Sequence, residues 1–363
     1  MTTKRIMQTL QSIFKVFWKR HTTNLCLLVM SVFESRRIGI AALGRNLRVA
    51  TTPKHAIKRV DRFLSNPRFD DREAAEVLLR SVIGPRRRVL IAVDWTKFRK
   101  WPALVAAVIQ RGRGIPILWA VMDWRSAYKS QNAFENAFFT WLKSALPEGV
   151  KGVVLLDRGF KRVDLIKHLT RCKLSFVIRR GGNVHIRHDA YNGRMDELIS
   201  CRGQTRDLHK AILRPSRPVQ VRILGKWGKG HKEPWYLQTD LNQSVEQVMA
   251  MYAKRFRIEE TFRDEKDTRF GWALGQLKIT QARRLERILL VVAISHFLVM
   301  LVGGEARRRG LARGFRANTV RHKPTHSDFT LGVYYITRIQ WWYRKLLEEF
   351  YIERVPLFTF QEE

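Results

Sequence analysis

The feature that most constrains the fold is a series of short apolar runs between residues 85 and 180. Uninterrupted apolar runs of this length are typical of strands that are buried on both faces of a sheet. Helical periodicity separates the later runs, and the first helical stretch carries Phe134, Phe138 and Trp141 on one stripe. Five strands are predicted, at residues 89–94, 103–109, 115–121, 152–157 and 174–179. Three adjoining strands, a helix, a strand, a helix and a strand predict a mixed α/β sheet.

The sequence on either side of this core has a different character. Segments that begin at Val184, Val219 and Trp235 alternate or run apolar between turns rich in Gly and Lys, which predicts strands. Helical patterns resume beyond them. We therefore predict five regions: a helical, basic region at 1–84, the first part of the core at 85–180, a β-rich insertion at 181–242, the second part of the core at 243–305 and a basic, helical region at 306–363.

The first region contains a candidate helix-turn-helix. Residues 38–44 fit a short helix, and Thr51-Thr52-Pro53 provides an N-cap and a first-turn proline for a second helix. Basic side chains surround the apolar stripe of that second helix. This arrangement suits DNA binding, and a helical bundle with a solvated basic face explains it equally well.

The charge balance indicates a polyanionic partner. Lys and Arg number 68 against 32 acidic residues, so the formal net charge is +36. A surface this basic repels itself unless a polyanion neutralises it, and nucleic acid is the commonest such partner. Hydrophobic residues make up 45% of the chain, which excludes a disordered basic tail. A ribosomal-type protein and a membrane-surface binder remain as alternatives on composition alone.

The cysteines and the longest apolar run both favour a soluble protein of the cytoplasm. Cys26, Cys172 and Cys201 are scattered and form no CxxC spacing, so neither a disulfide framework nor a zinc cluster is predicted. The N-terminus has no apolar signal-peptide segment. The run at 288–302 is shorter than a bilayer span and includes Ser295 and His296, which predicts a buried core helix.

Two carboxylates follow buried strands. Asp94 and Asp157 each stand at the end of an apolar run, which places them at the carboxyl edge of the predicted sheet. One such Asp is more often a turn residue or an N-cap. Two of them on neighbouring strands repel each other unless a cation holds them, and hard divalent ions such as Mg²⁺ take oxygen ligands of this kind.

A third carboxylate lies on a long helix predicted from about residue 244 to 266. On a helical wheel Tyr252, Arg255, Glu259 and Lys266 fall within about 60° of one another, in the apolar, inward-facing band. Burying these polar groups is costly unless each has a partner. A metal ion would be the partner of Glu259, and DNA phosphates would be the partners of Arg255 and Lys266. The alternative to metal and DNA binding is an ion pair between Arg255 and Glu259 that has no role in function. The opposite, solvated side of the helix is predicted to hold Glu260, the rival of Glu259 for the role of third carboxylate. The other polar residues predicted on that side are Lys254, Arg257, Thr261, Asp264 and Glu265.

The spacing of these four residues resembles a known family. Two residues separate Tyr252 from Arg255, three separate Arg255 from Glu259, and six separate Glu259 from Lys266. This spacing matches the Tyr-Arg-Glu-Lys signature of a group of bacterial insertion-sequence transposases. The residues around Asp94 (Val-Asp-Trp-Thr) and around Asp157 (Leu-Asp-Arg-Gly-Phe) also look like this family. The resemblance covers roughly residues 85 to 270 and implies a DDE enzyme with a ribonuclease-H-like core, in agreement with the predicted order of elements.

The resemblance also implies a mechanism and a set of site residues. Asp94, Asp157 and Glu259 would hold two Mg²⁺ ions, with Mn²⁺ as a possible substitute, for cut-and-paste transposition at terminal inverted repeats. Arg255 and Lys266 would position DNA phosphates, and Tyr252 would form hydrogen bonds there and not act as a nucleophile.

Tryptophans of the β-rich insertion are further candidates for DNA binding. Trp235 resembles a family residue that stacks on a flipped base, although Asp240 stands where the family usually has Asn or a small residue. Packing within the insertion explains Trp235 equally well. Trp227, within a Gly- and Lys-rich segment, is a second candidate.

Three functions are compatible with these patterns. The first is an active transposase that acts on double-stranded DNA, pairs as a homodimer on DNA and associates with the bacterial nucleoid in the cytoplasm. The second is a nuclease with the same core and no strand transfer. The third is a non-catalytic, transposase-derived regulator, which is less favoured because none of the three carboxylates is missing.

Overall fold

The computed structural model describes residues 8, 10–15, 17, 19–35, 37–123, 130–213, 218–268, 271–315 and 326–338. They form two compact units. Unit 1 comprises Met1–Pro85, Trp95–Arg125 and Arg257–Glu363, and unit 2 comprises Arg86–Asp94 and Ser126–Phe256. Neither unit is continuous in sequence.

The elements follow one another in an α/β order. The helices are α1 (Lys19–Ser35), α2 (Ile40–Arg45), α3 (Pro53–Leu64), α4 (Asp71–Ile83), α5 (Gln131–Ala145), α6 (Val163–Arg171), α7 (Val245–Ala253), α8 (Arg257–Lys266), α9 (Ala282–Arg308) and α10 (Asp328–Arg338). The strands are β1 (Arg88–Phe98), β2 (Trp101–Gln110), β3 (Arg113–Val121), β4 (Lys151–Leu156), β5 (Ser175–Arg180), β6 (His185–His188), β7 (Tyr191–Arg194), β8 (Thr205–Leu213), β9 (Val219–Lys226) and β10 (Trp235–Thr239).

Unit 2 is built on a mixed sheet. The part of β1 that belongs to this unit pairs parallel with β4, and β4 pairs parallel with β5. Beyond β5 the strands are antiparallel, in the order β10, β9, β8, β6 and β7. The strands that were predicted from Val184, Val219 and Trp235 are therefore present, and they extend the sheet that starts with β1.

Helices α5 and α6 of unit 2 are joined by one arginine. The predicted apolar stripe of α5 is buried at Phe134 and Phe138. Arg162 donates to the Glu135 carboxylate at 3.1 Å and to the side-chain oxygen of Asn136 at 2.7 Å. Both acceptors lie on α5, and Arg162 caps the start of α6, so this contact fixes the two helices against each other.

Unit 1 contains the β2–β3 hairpin and the basic N-terminal helices. Gly112 has a φ of +75° and makes the hairpin turn, a backbone conformation that favours glycine. Helix α3 begins at Pro53 with Thr52 as its N-cap, as predicted. A Cβ atom on Gly44 would lie 2.5 Å from the Cα atom of Ile57, so the close crossing of α2 and α3 requires a glycine there.

Helix α9 is the core helix of unit 1. Its length and apolar composition are enough for a membrane span, but 89% of its most apolar window is buried within the protein. Burial of this extent is the environment of a core helix, as the sequence predicts for residues 288–302. The fully buried Arg287 of α9 reaches the Asp71 carboxylate through two bonds of 2.7 Å each. It also donates to the main-chain oxygens of Phe63, Asn66 and Phe69.

The predicted fold class is confirmed. The five predicted core strands correspond to β1–β5, and the mixed α/β architecture is consistent with a ribonuclease-H-like fold. The predicted basic and helical region at 306–363 is described only at 306–315 and 326–338. The aromatic cluster Trp341, Trp342 and Tyr343 lies outside the described residues.

Candidate active site

Asp94 and Asp157 lie at the same level of two neighbouring strands. Ala92 of β1 pairs with Leu155 of β4 in parallel register, and each carboxylate follows two residues later. Extending this register places Asp94 opposite Asp157, with neighbouring strands roughly 4.8 Å apart. The strand register inside unit 2 thus sets Asp94 level with Asp157.

The prediction that Asp94 ends its strand is wrong. Strand β1 continues to Phe98, because Thr96 and Phe98 are buried on alternate positions and the pleat persists. Asp94 is a strand residue whose side chain keeps 17% of its surface exposed. The continuation of the strand is not evident from the sequence, because polar residues follow Val93.

Asp157 ends β4 and caps the turn that follows. Its Oδ1 atom accepts a hydrogen bond of 2.8 Å from the main-chain nitrogen of Gly159, in the short 3₁₀ turn Arg158–Phe160. A Cβ atom on Gly159 would lie 3.0 Å from the same oxygen, so a side chain there would crowd the carboxylate. Asp157 is therefore both an N-cap and a half-exposed carboxylate.

Arg255 supplies positive charge to the first carboxylate. Its Nη1 atom donates to Oδ2 of Asp94 at 3.2 Å, and its side chain is only 6% exposed. The alternative suggested by the sequence paired Arg255 with Glu259 four residues away. The contact with Asp94 joins positions 161 residues apart, which no local pattern predicts.

Tyr252 is a buried phenol next to these charges. Burial raises its pKa from 10.0 to about 12, against the opposing influence of the Arg255 and Arg179 guanidinium groups, and the negative charge of Asp157 adds to the rise. The hydroxyl is therefore protonated at physiological pH and suited to hydrogen bonding. The ring of Trp235 packs edge-on against it, with 5.3 Å between ring centroids.

Arg179 is a residue of this site that the sequence analysis missed. Val177 of β5 pairs with Leu155 of β4, so Arg179 follows at the level of Asp157. Its guanidinium lies 5.5 Å from the centre of the Trp235 ring and 2.6 Å from the Glu233 carboxylate. A basic residue at the end of the third parallel strand is the signal that would have found it.

Trp235 is half-buried and framed by this cluster. Its ring also contacts the ring of His231 at 4.7 Å and the ring of Phe256 at 6.2 Å between centroids. Trp227, the second candidate, donates to the main-chain oxygen of His231 at 3.1 Å. Of the predicted DNA-binding residues, the structure thus brings Tyr252, Arg255 and Trp235 together in unit 2.

Glu259 and Lys266 belong to unit 1. Glu259 is exposed in the first turn of α8, where the helix dipole stabilises a negative charge. Lys266 donates to the Thr96 hydroxyl at 2.6 Å, and its Nζ atom lies 5.3 Å from the centre of the Phe98 ring. The rival carboxylate, Glu260, accepts from Arg263 at 3.0 Å.

The prediction of one continuous helix from 244 to 266 is wrong. A 3₁₀ turn at Lys254–Phe256 separates α7 from α8, so the wheel is not valid across the whole segment. The wheel places Glu259 in the inward band and Phe256 on or beside it, but both are exposed, Phe256 to 39%. Thr261 and Glu265, assigned to the solvated side, are buried. Which side chains are buried here therefore depends on the tertiary contacts of Arg255 and Thr261, and not on the 3.6-residue period of a regular helix.

The Asp94–Asp157 pair fits a divalent cation in its chemistry. Two carboxylates at one level of adjacent strands need a neighbouring positive charge, and their oxygens are ligands that Mg²⁺ accepts. Within the described ranges, no group of three or more His, Cys, Asp or Glu side chains is close enough to hold a metal. Unit 2 supplies two of the predicted ligands, and Glu259 is a residue of unit 1.

Comparison with known families identifies the chain. A model of the transposase DDE domain matches residues 85–298, which is more than half of the sequence. The chain belongs to the transposase DDE family. No curated protein matches it.

The match to the DDE transposase family agrees with the residue chemistry. It contains Asp94, Asp157 and Glu259, and it extends beyond the predicted resemblance into helix α9. DDE transposases act on DNA and generally depend on divalent metal ions, so both the basic charge and the carboxylates have a place in this family.

Proposed function

We propose that this DDE transposase moves an insertion sequence by cut-and-paste transposition, cleaving and joining DNA at terminal inverted repeats. The observation that carries the proposal is that three charged residues lie level on the adjacent strands β1, β4 and β5. Asp94, Asp157 and Arg179 each follow by two residues a position that is paired with its neighbour in the sheet. Two carboxylates provide metal ligands, and a guanidinium beside them is suited to a phosphate. We also assign the chain to the Tyr-Arg-Glu-Lys group on the spacing of Tyr252 to Lys266.

The carboxylates are assigned to metal binding. Asp94, Asp157 and Glu259 would hold two Mg²⁺ ions, for which Mn²⁺ is a chemically suitable substitute. When bound, such ions activate an attacking oxygen and stabilise the leaving oxygen of a phosphodiester. The hydrogen bond from Gly159 orients the Asp157 carboxylate, and the Arg255 guanidinium donates to the Asp94 carboxylate.

The strand chemistry uses one nucleophile in each step. A water oxygen first bonds to the phosphorus at the transposon end, and the bridging 3′ oxygen leaves with a proton as a 3′-hydroxyl. That hydroxyl then attacks the opposite strand, which forms a hairpin and releases the flanking DNA. Water reopens the hairpin, and the same 3′-hydroxyl attacks the target DNA. Tyr252 forms no covalent bond with DNA, because its raised pKa disfavours the phenolate.

Four side chains are assigned to DNA positioning. Arg255 and Lys266 contact phosphates of the transferred strand, and Tyr252 donates a hydrogen bond beside them. Trp235 stacks on an unpaired base next to the cut. The packing of Trp235 against Tyr252 supports a common role, because a base stacked on this ring lies near the phenol hydroxyl and the Arg179 guanidinium.

The partner is double-stranded DNA at the repeats and at the target, and two subunits pair the two ends. The basic N-terminal helix α3 supports repeat binding, because Lys54, Lys58 and Arg62 are exposed on it while Val60 and Phe63 are buried. An excess of 36 positive charges favours association with the nucleoid in the bacterial cytoplasm.

The test is cleavage of a labelled DNA that carries the repeat ends of the element. Wild type is compared with Glu259→Gln, with Mg²⁺ and with EDTA. We expect nicks and hairpins that depend on Mg²⁺ and fall at least about 100-fold in Glu259→Gln, because a lost metal ligand removes several kcal/mol of transition-state stabilisation.

Glu260→Gln is the matched control, since it removes an adjacent carboxylate that pairs with Arg263. Its cleavage rate should stay within about threefold of wild type, in keeping with a surface ion pair. Nicks without strand transfer in wild type would identify a nuclease. Tight repeat binding without any cleavage would identify a regulator, and equal losses in both variants would overturn the assignment of Glu259.

A further inference from the structure

Helix α8 carries two of the proposed site residues and is held in unit 1 by polar contacts. The Thr261 hydroxyl accepts from the main-chain nitrogen of Gly114 at 2.9 Å and donates to its carbonyl oxygen at 2.8 Å. Arg113 reaches the Asp264 carboxylate at 2.6 Å. Both contacts fasten one side of α8 to the start of β3.

The same face of α8 carries a buried acid–base pair, because Glu265 follows Thr261 by four residues. Oε1 of Glu265 lies 3.5 Å from Nδ1 of His296 on helix α9. Glu265 is 3% exposed and His296 is fully buried. The rings of Trp272 and Phe329 flank the imidazole, with centroids 6.1 and 5.0 Å away. The pair therefore lies in apolar surroundings.

This pair is costly as a means of stabilisation alone. A buried carboxylate and imidazole lose their hydration, and apolar residues of similar volume often serve a core as well or better. In the part of the chain that the structure describes, neither imidazole nitrogen nor Oε1 of Glu265 has a hydrogen bond of normal geometry. The contact between Glu265 and His296 is therefore an ion pair at 3.5 Å and not a hydrogen bond.

We propose that Glu265 and His296 are positioning residues that fix the rotation of α8 about its axis. Glu265 precedes Lys266, which meets the Thr96 hydroxyl, and it follows Glu259 by six residues in the same helix. Because β3 and His296 both hold the face of α8 that carries Thr261 and Glu265, the helix keeps Glu259 exposed and Lys266 directed to Thr96. The inference rests on the proposed function in so far as Glu259 and Lys266 act in cleavage.

The experiment compares two single variants with their combination. Glu265→Met and His296→Leu each leave one buried polar partner behind, and the double variant replaces the pair with apolar side chains. We expect the single variants to lose thermal stability and the double variant to regain it. If the pair positions α8, kcat for end cleavage falls about 10- to 100-fold in all three, while the KM for repeat DNA changes less than about twofold.

Ser295→Ala is the control, because Ser295 is buried next to His296 and its hydroxyl donates within α9, to the carbonyl of Val291. It should leave kcat unchanged. Recovery of kcat together with stability in the double variant would overturn the proposal, since the pair would then be a packing element.

Hydrogen exchange provides a readout that does not depend on activity. Amides of α8 should exchange faster in the double variant than in wild type, without DNA and in EDTA, and should be unchanged in Ser295→Ala. Unaltered protection of α8 in the double variant would contradict the proposal. Absence of cleavage by wild type would instead contradict the proposed function, whatever the exchange of α8.

Discussion

Two buried arginines, one in each unit, pair with an aspartate in different ways. Arg287 of unit 1 binds both oxygens of Asp71 at 2.7 Å and three main-chain carbonyls. Arg255 of unit 2 meets one oxygen of Asp94 at 3.2 Å. The side chain of Arg287 has no exposed surface and that of Arg255 is 6% exposed, and both aspartates keep some contact with solvent.

The difference separates a structural arginine from one placed for chemistry. A planar guanidinium with bidentate geometry and carbonyl partners is fixed in one arrangement and joins α9 to the α3–α4 connection. The longer contact between Arg255 and Asp94 exchanges more readily for a phosphate or a metal ion. Three substitutions test this contrast, from the largest expected effect to the smallest.

Arg287→Met should lower the free energy of unfolding by about 3–5 kcal/mol, because Asp71 and three carbonyls lose their buried partner. Urea denaturation of the purified protein measures this. Arg283→Met is the control on the same helix, since its side chain is 55% exposed, donates to the carbonyl of Pro67 and lies 3.9 Å from the Asp71 carboxylate. That variant should lose less than about 1 kcal/mol. Similar losses for both would remove the structural role assigned to Arg287.

Arg255→Gln should reverse this pattern. We expect end cleavage to fall about 100-fold, equivalent to roughly 2.7 kcal/mol, because charge near Asp94 and the phosphate is lost. The free energy of unfolding should change by less than about 1 kcal/mol, since glutamine keeps a donor and Asp94 retains solvent. Lys254→Gln, in the same 3₁₀ turn, is the control and should cleave like wild type. A large stability loss with normal cleavage would make Arg255 a second structural arginine.

Tyr252→Phe should have the smallest effect near neutral pH, where the phenol is protonated. Cleavage should fall about tenfold or less, as for the loss of one hydrogen bond. The pKa is 10.0 for an ordinary tyrosine and about 12 in the folded protein. The unfolded chain therefore ionises first, and folding stability that is present below pH 10 is lost as the pH rises towards 12.

Denaturation at pH 8, 10 and 11 distinguishes the two proteins. Wild type should lose more stability over this range than Tyr252→Phe, which lacks the titrating group. Parallel curves for the two proteins would show that Tyr252 is not buried as described.

Much of the fold was predictable because its signals are local. The apolar runs that became β1 to β5 are buried on both faces, and an apolar run needs no knowledge of its partner to be recognised. Thr52 and Pro53 likewise start α3 through contacts within one turn. The extension of β1 past Asp94 was missed, since Thr96 and Phe98 are buried by distant parts of unit 1.

The site was predictable only in part. The ends of apolar runs singled out Asp94 and Asp157 as predicted site residues, and spacing singled out Tyr252, Arg255, Glu259 and Lys266. The helical wheel placed Thr261 and Glu265 in solvent, because it assumed one regular helix where the chain has a 3₁₀ turn. Arg179 was not considered, since its position beside Asp157 depends on the pairing of β4 with β5.

The sequence by itself determined the strands, the helix caps, the basic charge and the family, because each depends on residue type or on spacing along the chain. Only the tertiary structure decided that Asp94 lies level with Asp157, that Arg255 turns to Asp94 and that Glu265 meets His296. These contacts join residues far apart in sequence, and strand register and core packing set them. The helix propensity of a segment is a weak determinant where long-range contacts favour another conformation. At the turn between α7 and α8 the long-range contacts decided the conformation.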